Sequence, residues 1–297
     1  TWLREQGIPA ITEVDTRAVV RHIRDRGAMR GGIFGAATAG GEAMERVLAE
    51  PPMHGRDLAR EVTSPEPVVI DPRAPGPLGL EAAAELDAES GAGVAGPRIV
   101  AIDTGIKRSI VEQLRRRGAR LELHPCSASA GDLLAREPDA IFLANGPGDP
   151  AALDHVVEAV RGVVGRVPVF GICMGHQLLC RAVGLDTFKL RFGHRGANHP
   201  VKDLATGAID ITSQNHGFAV RGPGGEERIA ADEPVRWETD FGAAELSHVN
   251  LYDRTVEGLV LRDVPGATAQ YHPEAGPGPH DAIYLFDRYL DLIEQAA

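Results

Sequence analysis

The sequence is short of positive charge: 31 Lys and Arg stand against 42 Asp and Glu, a formal net charge of −11 over 297 residues. A surface built for nucleic acid or an anionic membrane needs clustered cations, so neither is expected as a partner. It also lacks any run approaching the roughly 18 apolar residues of a membrane span, and no charged-then-apolar leader opens it. The default location is therefore the cytoplasm. Cysteine is scarce too. Cys126, Cys173 and Cys180 are the only three and none forms a C-x-x-C pair, so no metal site or redox couple is expected and at least one thiol stays free. There is no repeat of solenoid length. The first residue is Thr1 and not Met, running straight into a helix-like segment, so the chain reads as cut from a longer one.

What is present is ordinary for a globular protein: 43% apolar and 25% charged residues, with 35 Gly and 21 Pro supplying many turns. Residues 1–62 read as a small, incomplete α/β unit. In it Ile8-Pro9-Ala10-Ile11 and Gly31-Gly32-Ile33-Phe34-Gly35 are strand-like, and Asp15-Thr16 can cap a helix carrying Val19, Val20 and Ile23 that Gly27 ends. Residues 63–97 shift to Pro, Gly, Ala and acid and read as a linker. From 98 to 297 short apolar strands alternate with helical patterns: strands at 99–102, 121–123, 140–143, 167–172 and 267–270, helices at 110–117 and 154–164. That alternation marks an α/β fold, a mostly parallel sheet covered by helices on both faces. Ligands of such sheets bind beyond the carboxyl ends of the strands, so loops that follow strands are the ones to read.

Three such loops carry chemistry. Gly171-Ile172-Cys173-Met174-Gly175-His176-Gln177 is the thiol form of a nucleophile elbow, a sharp strand-to-helix turn whose flanking glycines make room for the nucleophile. A helix N-terminus also favours the thiolate of Cys173. An isolated cysteine is more often core packing; the strand, elbow and helix context reverses that preference. Tyr271-His272-Pro273-Glu274 follows another strand and can bring a base and its orienting carboxylate to the same edge, making a Cys173, His272, Glu274 triad plausible. Asn145-Gly146-Pro147-Gly148-Asp149-Pro150 can aim backbone N–H groups at an oxyanion or carboxylate, and lacks the Lys and Ser or Thr of a phosphate loop.

In this order and spacing the three loops resemble the class I (triad) glutamine amidotransferases, whose domain is flavodoxin-like. Gly193-His194-Arg195-Gly196-Ala197-Asn198-His199-Pro200-Val201, Ser213-Gln214-Asn215-His216-Gly217-Phe218-Ala219-Val220 and Pro273-Glu274-Ala275-Gly276-Pro277-Gly278-Pro279-His280-Asp281 resemble one branch, the carbamoyl-phosphate synthase small subunits. Glu13-Val14-Asp15-Thr16-Arg17 and Arg26-Gly27-Ala28 fit the same branch. The resemblance implies that Cys173 attacks the amide of L-glutamine, His272 carries the proton to ammonia and Glu274 holds the imidazole. It implies an oxyanion site at the N–H groups of Gly146 and Met174, and contacts to glutamine from Gly148, Gln177, Asn215, Gly217 and Phe218. It implies a partner as well, a large synthetase subunit that makes carbamoyl phosphate from bicarbonate for arginine and pyrimidine synthesis. ATP and divalent metal would sit on that subunit, with no cofactor in this chain.

Some features depart from the branch. Ser109 stands where Asn is expected, an upstream serine of the glutamine site has no counterpart, and Cys126 and Cys180 match no functional position, which makes core packing the expectation for Cys180. Other readings are a glutaminase component serving GMP, anthranilate or aminodeoxychorismate synthesis, an inactive binding module of the same fold, or a stand-alone cysteine hydrolase.

Overall fold

A computed structural model describes residues 2–70, 96–275 and 278–296. In chain order its elements are α1 (Trp2–Glu5), α2 (Thr16–Arg26), α3 (Gly40–Ala49), α4 (Ala59–Val62), β1 (Val68–Ile70), β2 (Arg98–Asp103), α5 (Arg108–Arg116), β3 (Arg120–Pro125), α6 (Ala130–Leu134), β4 (Ala140–Leu143), α7 (Asp154–Val163), β5 (Val169–Ile172), α8 (Met174–Ala182), β6 (Thr187–Asp203), β7 (Ile209–Val220), β8 (Val235–Thr239), β9 (Gly242–Asn250), β10 (Val256–Leu261), β11 (Gly266–Ala269) and α9 (Leu285–Ala296).

The strands form one sheet in the order β1-β3-β2-β4-β5-β11-β10-β9-β6-β7, with β8 beside β9. Its centre, β3-β2-β4-β5-β11, is parallel throughout. The residues of β2 explain why: Ile99 and Ala101 face one apolar cluster with Phe142, Phe170 and the helices α5 and α9, while Val100 and Ile102 face another with Ile141, Val160 and Leu178. A strand buried on both faces needs helices on both faces, and right-handed crossovers keep successive strands parallel. The expected α/β core is present. Beyond it β10, β9, β6 and β7 extend the sheet antiparallel, a wing the strand–helix alternation did not reveal.

The helix expected after Asp15 is α2: the Asp15 carboxylate accepts from Ala18 N at 2.9 Å, and Gly27 ends it at φ 91°. The two strands expected at 8–11 and 31–35 are absent from the structure. Among the described residues neither segment has a neighbouring strand to share a ladder, and an unpaired extended segment gains no cross-strand hydrogen bonds. Val19, Val20 and Ile23 are exposed on α2.

Of the stretch expected as a linker, residues 71–95 lie outside the described residues. Val68–Ile70 within it pairs antiparallel with Leu121–Leu123 as β1. The chain just before is sewn to the sheet: Ser64 N donates to Asp103 Oδ2 at 2.8 Å, and Thr63 Oγ1 donates to Asp103 O at 2.7 Å. Gly276 and Pro277, in one of the branch-specific blocks, also lie outside the described residues.

Candidate active site

The sheet register sets the site. Leu143 of β4 pairs with Gly171 of β5, and Ile172 of β5 pairs with Ala269 of β11, all parallel. Three parallel neighbours end at one edge, so the loops after them must converge there. Those loops carry Asn145–Asp149, Cys173 and His272.

At the elbow Cys173 takes φ 57° and ψ −103°, and its N–H donates to Ala269 O at 2.9 Å. A side chain held at positive φ is strained, and persists only where the surroundings fix it. The surroundings here are tight: a Cβ on Gly175 would lie 2.1 Å from Leu143 O, so only glycine lets α8 approach β4. Every residue of α8 but Arg181 is buried, which makes the helix a rigid mount. Cys173 is its N-cap, at the end of the helix where the free N–H groups and the positive end of the dipole lie.

His272 is buried, and its Nδ1 lies 2.7 Å from Glu274 Oε1. Its backbone N–H donates to Ser213 O at 2.9 Å, tying the loop to β7. Burial pulls the His272 pKa down, but the charge of Cys173, a hydrogen bond with its sulfur and the Glu274 carboxylate outweigh it and raise the pKa to about 10. Burial pushes Glu274 up; His272 and Lys107 reverse this and hold it below its ordinary value. The structure thus brings Cys173, His272 and Glu274 into one buried array in which the imidazole lies between a sulfur and a carboxylate, a geometry that can serve covalent acyl transfer.

Lys107 was not singled out from the sequence. Its Nζ lies 2.9 Å from Glu274 Oε1, and its backbone N–H donates to Asn145 Oδ1 at 2.9 Å. It therefore ties the triad carboxylate to the Asn145 loop. The Asp-x-Gly turn before it is the available signal: Asp103 Oδ1 accepts from Gly105 N and Ile106 N, fixing where residue 107 emerges.

A cleft of about 1150 Å³ opens on Cys173 and His272 and is lined by Gly146, Gly148, Met174, Gln177, Asn215, Gly217 and Phe218. Every residue implied to touch substrate thus reaches this space. Gln177 is also a brace: its Nε2 donates to Phe218 O at 2.8 Å and to Gln270 Oε1 at 3.0 Å. The far wall comes from the N-terminal residues, including Met29, Met53 and His54. They are locked to the loop through Asp149, whose Oδ2 accepts from Gly55 N at 2.8 Å and lies 2.9 Å from His54 Nδ1. Gly148, at φ 104°, passes so close that a Cβ would lie 2.8 Å from Arg56 O.

Behind β7 lies a buried polar network that sequence reading missed. His194 and His216 face each other across β6 and β7. His194 Nε2 lies 2.8 Å from Asp253 Oδ2, while Glu257 accepts from Gln214 and Asn250 at 2.9 Å each. His194, His216 and Glu257 bring ligand-type atoms within 4.8 Å of one another. All three are already bonded within the protein, His194 to Asp253, His216 to Phe218 O and Gln214, and Glu257 to Gln214 and Asn250. His176, on α8, sits 2.8 Å from Thr268 Oγ1, and burial lowers its pKa to about 3, so it is a neutral structural group. Cys126 and Cys180 are buried in the apolar cluster on the α7–α8 face, as expected for Cys180. Among the described residues no helix is long and apolar enough to cross a membrane.

Residues 100–292 match the family model for class-I glutamine amidotransferases, and residues 1–33 match that for the carbamoyl-phosphate synthase small chain, CPSase domain. The chain is 44% identical to the carbamoyl phosphate synthase small chain of Mycolicibacterium paratuberculosis, covering 98% of this chain and 72% of the relative. It is 43% identical to that of Streptomyces coelicolor, covering 98% and 70%. The solved structure of a candidate GMP synthase component from Thermoplasma acidophilum superposes with a TM-score of 0.54 at 16% identity, over 68% of this chain and 96% of that one, a likeness of fold alone. The family model matched over residues 100–292, together with relatives this similar over nearly the whole chain, establishes that the chain belongs to the class-I glutamine amidotransferases, in the family of carbamoyl phosphate synthase small chains.

Proposed function

We propose that this chain hydrolyses L-glutamine to glutamate and passes the ammonia to a large synthetase subunit that forms carbamoyl phosphate. The observation that carries the reading is the buried Cys173, His272 and Glu274 array, with its 2.7 Å imidazole–carboxylate contact, opening on a cleft with ample room for glutamine. The Cys173 thiolate attacks the side-chain amide carbon, and the carbonyl oxygen takes the negative charge. The N–H groups of Gly146 and Met174 receive that charge, and removing one donor of this kind costs about 3 kcal/mol in comparable sites. His272 gives its proton to the amide nitrogen as the carbon–nitrogen bond breaks, and ammonia leaves. Water then attacks the thioester and loses its proton to His272, releasing glutamate and the thiol. Glu274 keeps the ring oriented throughout.

Gly148, Gln177, Asn215, Gly217 and Phe218 hold the glutamine in this scheme. The family name "small chain" supports a larger partner; that partner would bind ATP and divalent metal, and the product would serve arginine and pyrimidine synthesis. The test uses this chain assembled with the large subunit. Cys173→Ser should abolish carbamoyl phosphate formation from glutamine while formation from added ammonia survives. Retained glutamine use in that variant contradicts the proposal.

A further inference from the structure

Asp149 makes more bonds than its own turn requires. It caps the short turn at Pro150–Ala152, where its Oδ1 accepts from Ala151 N at 2.9 Å. A hydroxyl would serve that purpose nearly as well as a carboxylate. The second oxygen reaches a distant part of the chain: Oδ2 accepts from Gly55 N at 2.8 Å and lies 2.9 Å from His54 Nδ1, while the Asp149 N–H donates to Arg56 O at 3.0 Å. Residues 54–56 are thus gripped by both the side chain and the backbone of residue 149.

The segment so held is the N-terminal wall of the cleft, formed by residues 28–30 and 50–54. Its two pieces are knit together: Arg30 Nη1 donates to Leu48 O and Glu50 O, and Arg56 pairs with Glu50 at 2.8 Å. No side chain between residues 28 and 56 is buried, so apolar packing contributes little to keeping the wall in place. Hydrogen bonds hold it instead, at two ends. At one, Ala28 N donates to Arg191 O of β6 at 2.9 Å; at the other, residues 54–56 meet Asp149. A hydrogen bond to a carboxylate is stronger than one between neutral backbone groups, so the Asp149 end is the firmer of the two.

The loop before Asp149 is wedged against the same segment. Gly148 leaves no room for a Cβ beside Arg56 O and Leu58 N, and at Gly146 a Cβ would lie 2.0 Å from Thr104 O on the other side. Wall and loop therefore keep one relative position only while Asp149 holds them. We propose that Asp149 is a positioning residue that fixes the N-terminal wall to the loop at 145–149 and so keeps the cleft closed around bound glutamine. This rests on the glutaminase reading above. A carboxylate is required at residue 149 because two acceptor oxygens are needed to cap Ala151 and hold the wall at once.

The experiment compares the full chain with Asp149→Ser, which keeps a hydroxyl to cap Ala151 but has no oxygen for Gly55, and with Asp149→Asn, which keeps one carbonyl oxygen for the two tasks. Amide hydrogen exchange reads the wall, and steady-state glutamine hydrolysis reads the cleft. In Asp149→Ser, exchange should quicken at residues 53–56 while β4 and β5 keep their protection. KM for glutamine should rise about tenfold, the loss expected for a hydrogen bond to a charged group, with kcat changed far less. Asp149→Asn should fall between the two. Faster exchange throughout β4 and β5 would reduce Asp149 to a support of the fold and overturn the proposal. Unchanged exchange at 53–56, or an unchanged KM, would overturn it as well, and each of these results leaves the glutaminase reading intact. If the unsubstituted chain hydrolysed no glutamine, the glutaminase reading itself would fall, and the role of the wall with it.

Discussion

Glu274 and its two cations, His272 and Lys107, show how much of the site is decided by single side chains. The carboxylate is buried with a hydrogen-bonded imidazole on one side and a half-exposed ammonium on the other. Lys107→Met removes one of two charges that keep Glu274 ionised and loosens its link to the Asn145 loop. Because Lys107 acts through Glu274, kcat for glutamine hydrolysis should fall about tenfold with little change in KM, and Lys107→Arg should recover part of it. Steady-state kinetics over a range of glutamine concentration reads both parameters. That Cys173, His272 and Glu274 would meet was legible in the sequence because they fall in loops that follow apolar strands. Lys107 was not, because its ion-pair partner lies far along the chain and nothing local marks residue 107 as facing residue 274.

At the scale of elements, the site depends on how closely α8 meets β4. A Cβ at residue 175 would lie 2.1 Å from Leu143 O and 2.7 Å from Leu143 Cβ, and backbone atoms cannot yield as a flexible side-chain tip can. Gly175→Ala should therefore destabilise the fold by about 3 kcal/mol and displace Cys173, with glutaminase activity lost in whatever protein remains folded. Urea unfolding measures the first effect and ammonia release the second. The parallel strands and their helices were legible because a strand buried on both faces leaves a continuous apolar run. The antiparallel wing was not: β6 spans 17 residues with the mixed burial of a long, half-exposed strand and two register shifts, so no clean period of two survives. The segments at 8–11 and 31–35 were misread for the opposite reason. They have strand-like residues but no strand beside them among the described residues.

Across the whole molecule, buried histidines pull stability in opposite directions with pH. His194 is lowered by burial but raised more by Asp253 and Glu257, to about 9. Its contribution is full below its unfolded value of about 6.5 and is lost as pH rises through 9. His176 and His216 are lowered by burial, to about 3 and about 4. They are neutral when folded, so their contribution is present above about 6.5 and is lost as pH falls towards those values. Together they place maximum stability near pH 6.5, with a decline on both sides. The urea midpoint, followed from pH 4 to 9, should trace that dome, and His194→Gln should make its alkaline side less steep, the remainder coming from His272, which is raised to about 10. A midpoint that still rises at pH 9 contradicts the assignment. None of this was legible in the sequence, where eleven histidines look alike until the fold decides for each whether burial or a neighbouring carboxylate prevails.

The charge deficit has a different standing at this scale. It argues against a nucleic-acid surface on general grounds, yet the cleft itself gathers Arg30, Arg56, Lys107, Lys189 and Arg195. An acidic protein can thus present a locally cationic pocket, which suits a small carboxylate-bearing substrate.

The central claim is that Cys173 is the nucleophile of a glutaminase. Glutamate released from L-glutamine by the full chain, compared with Cys173→Ser, tests it most directly. Steady release is expected from the unsubstituted protein, with a loss of at least about a thousandfold in the variant. Equal release by both would contradict it.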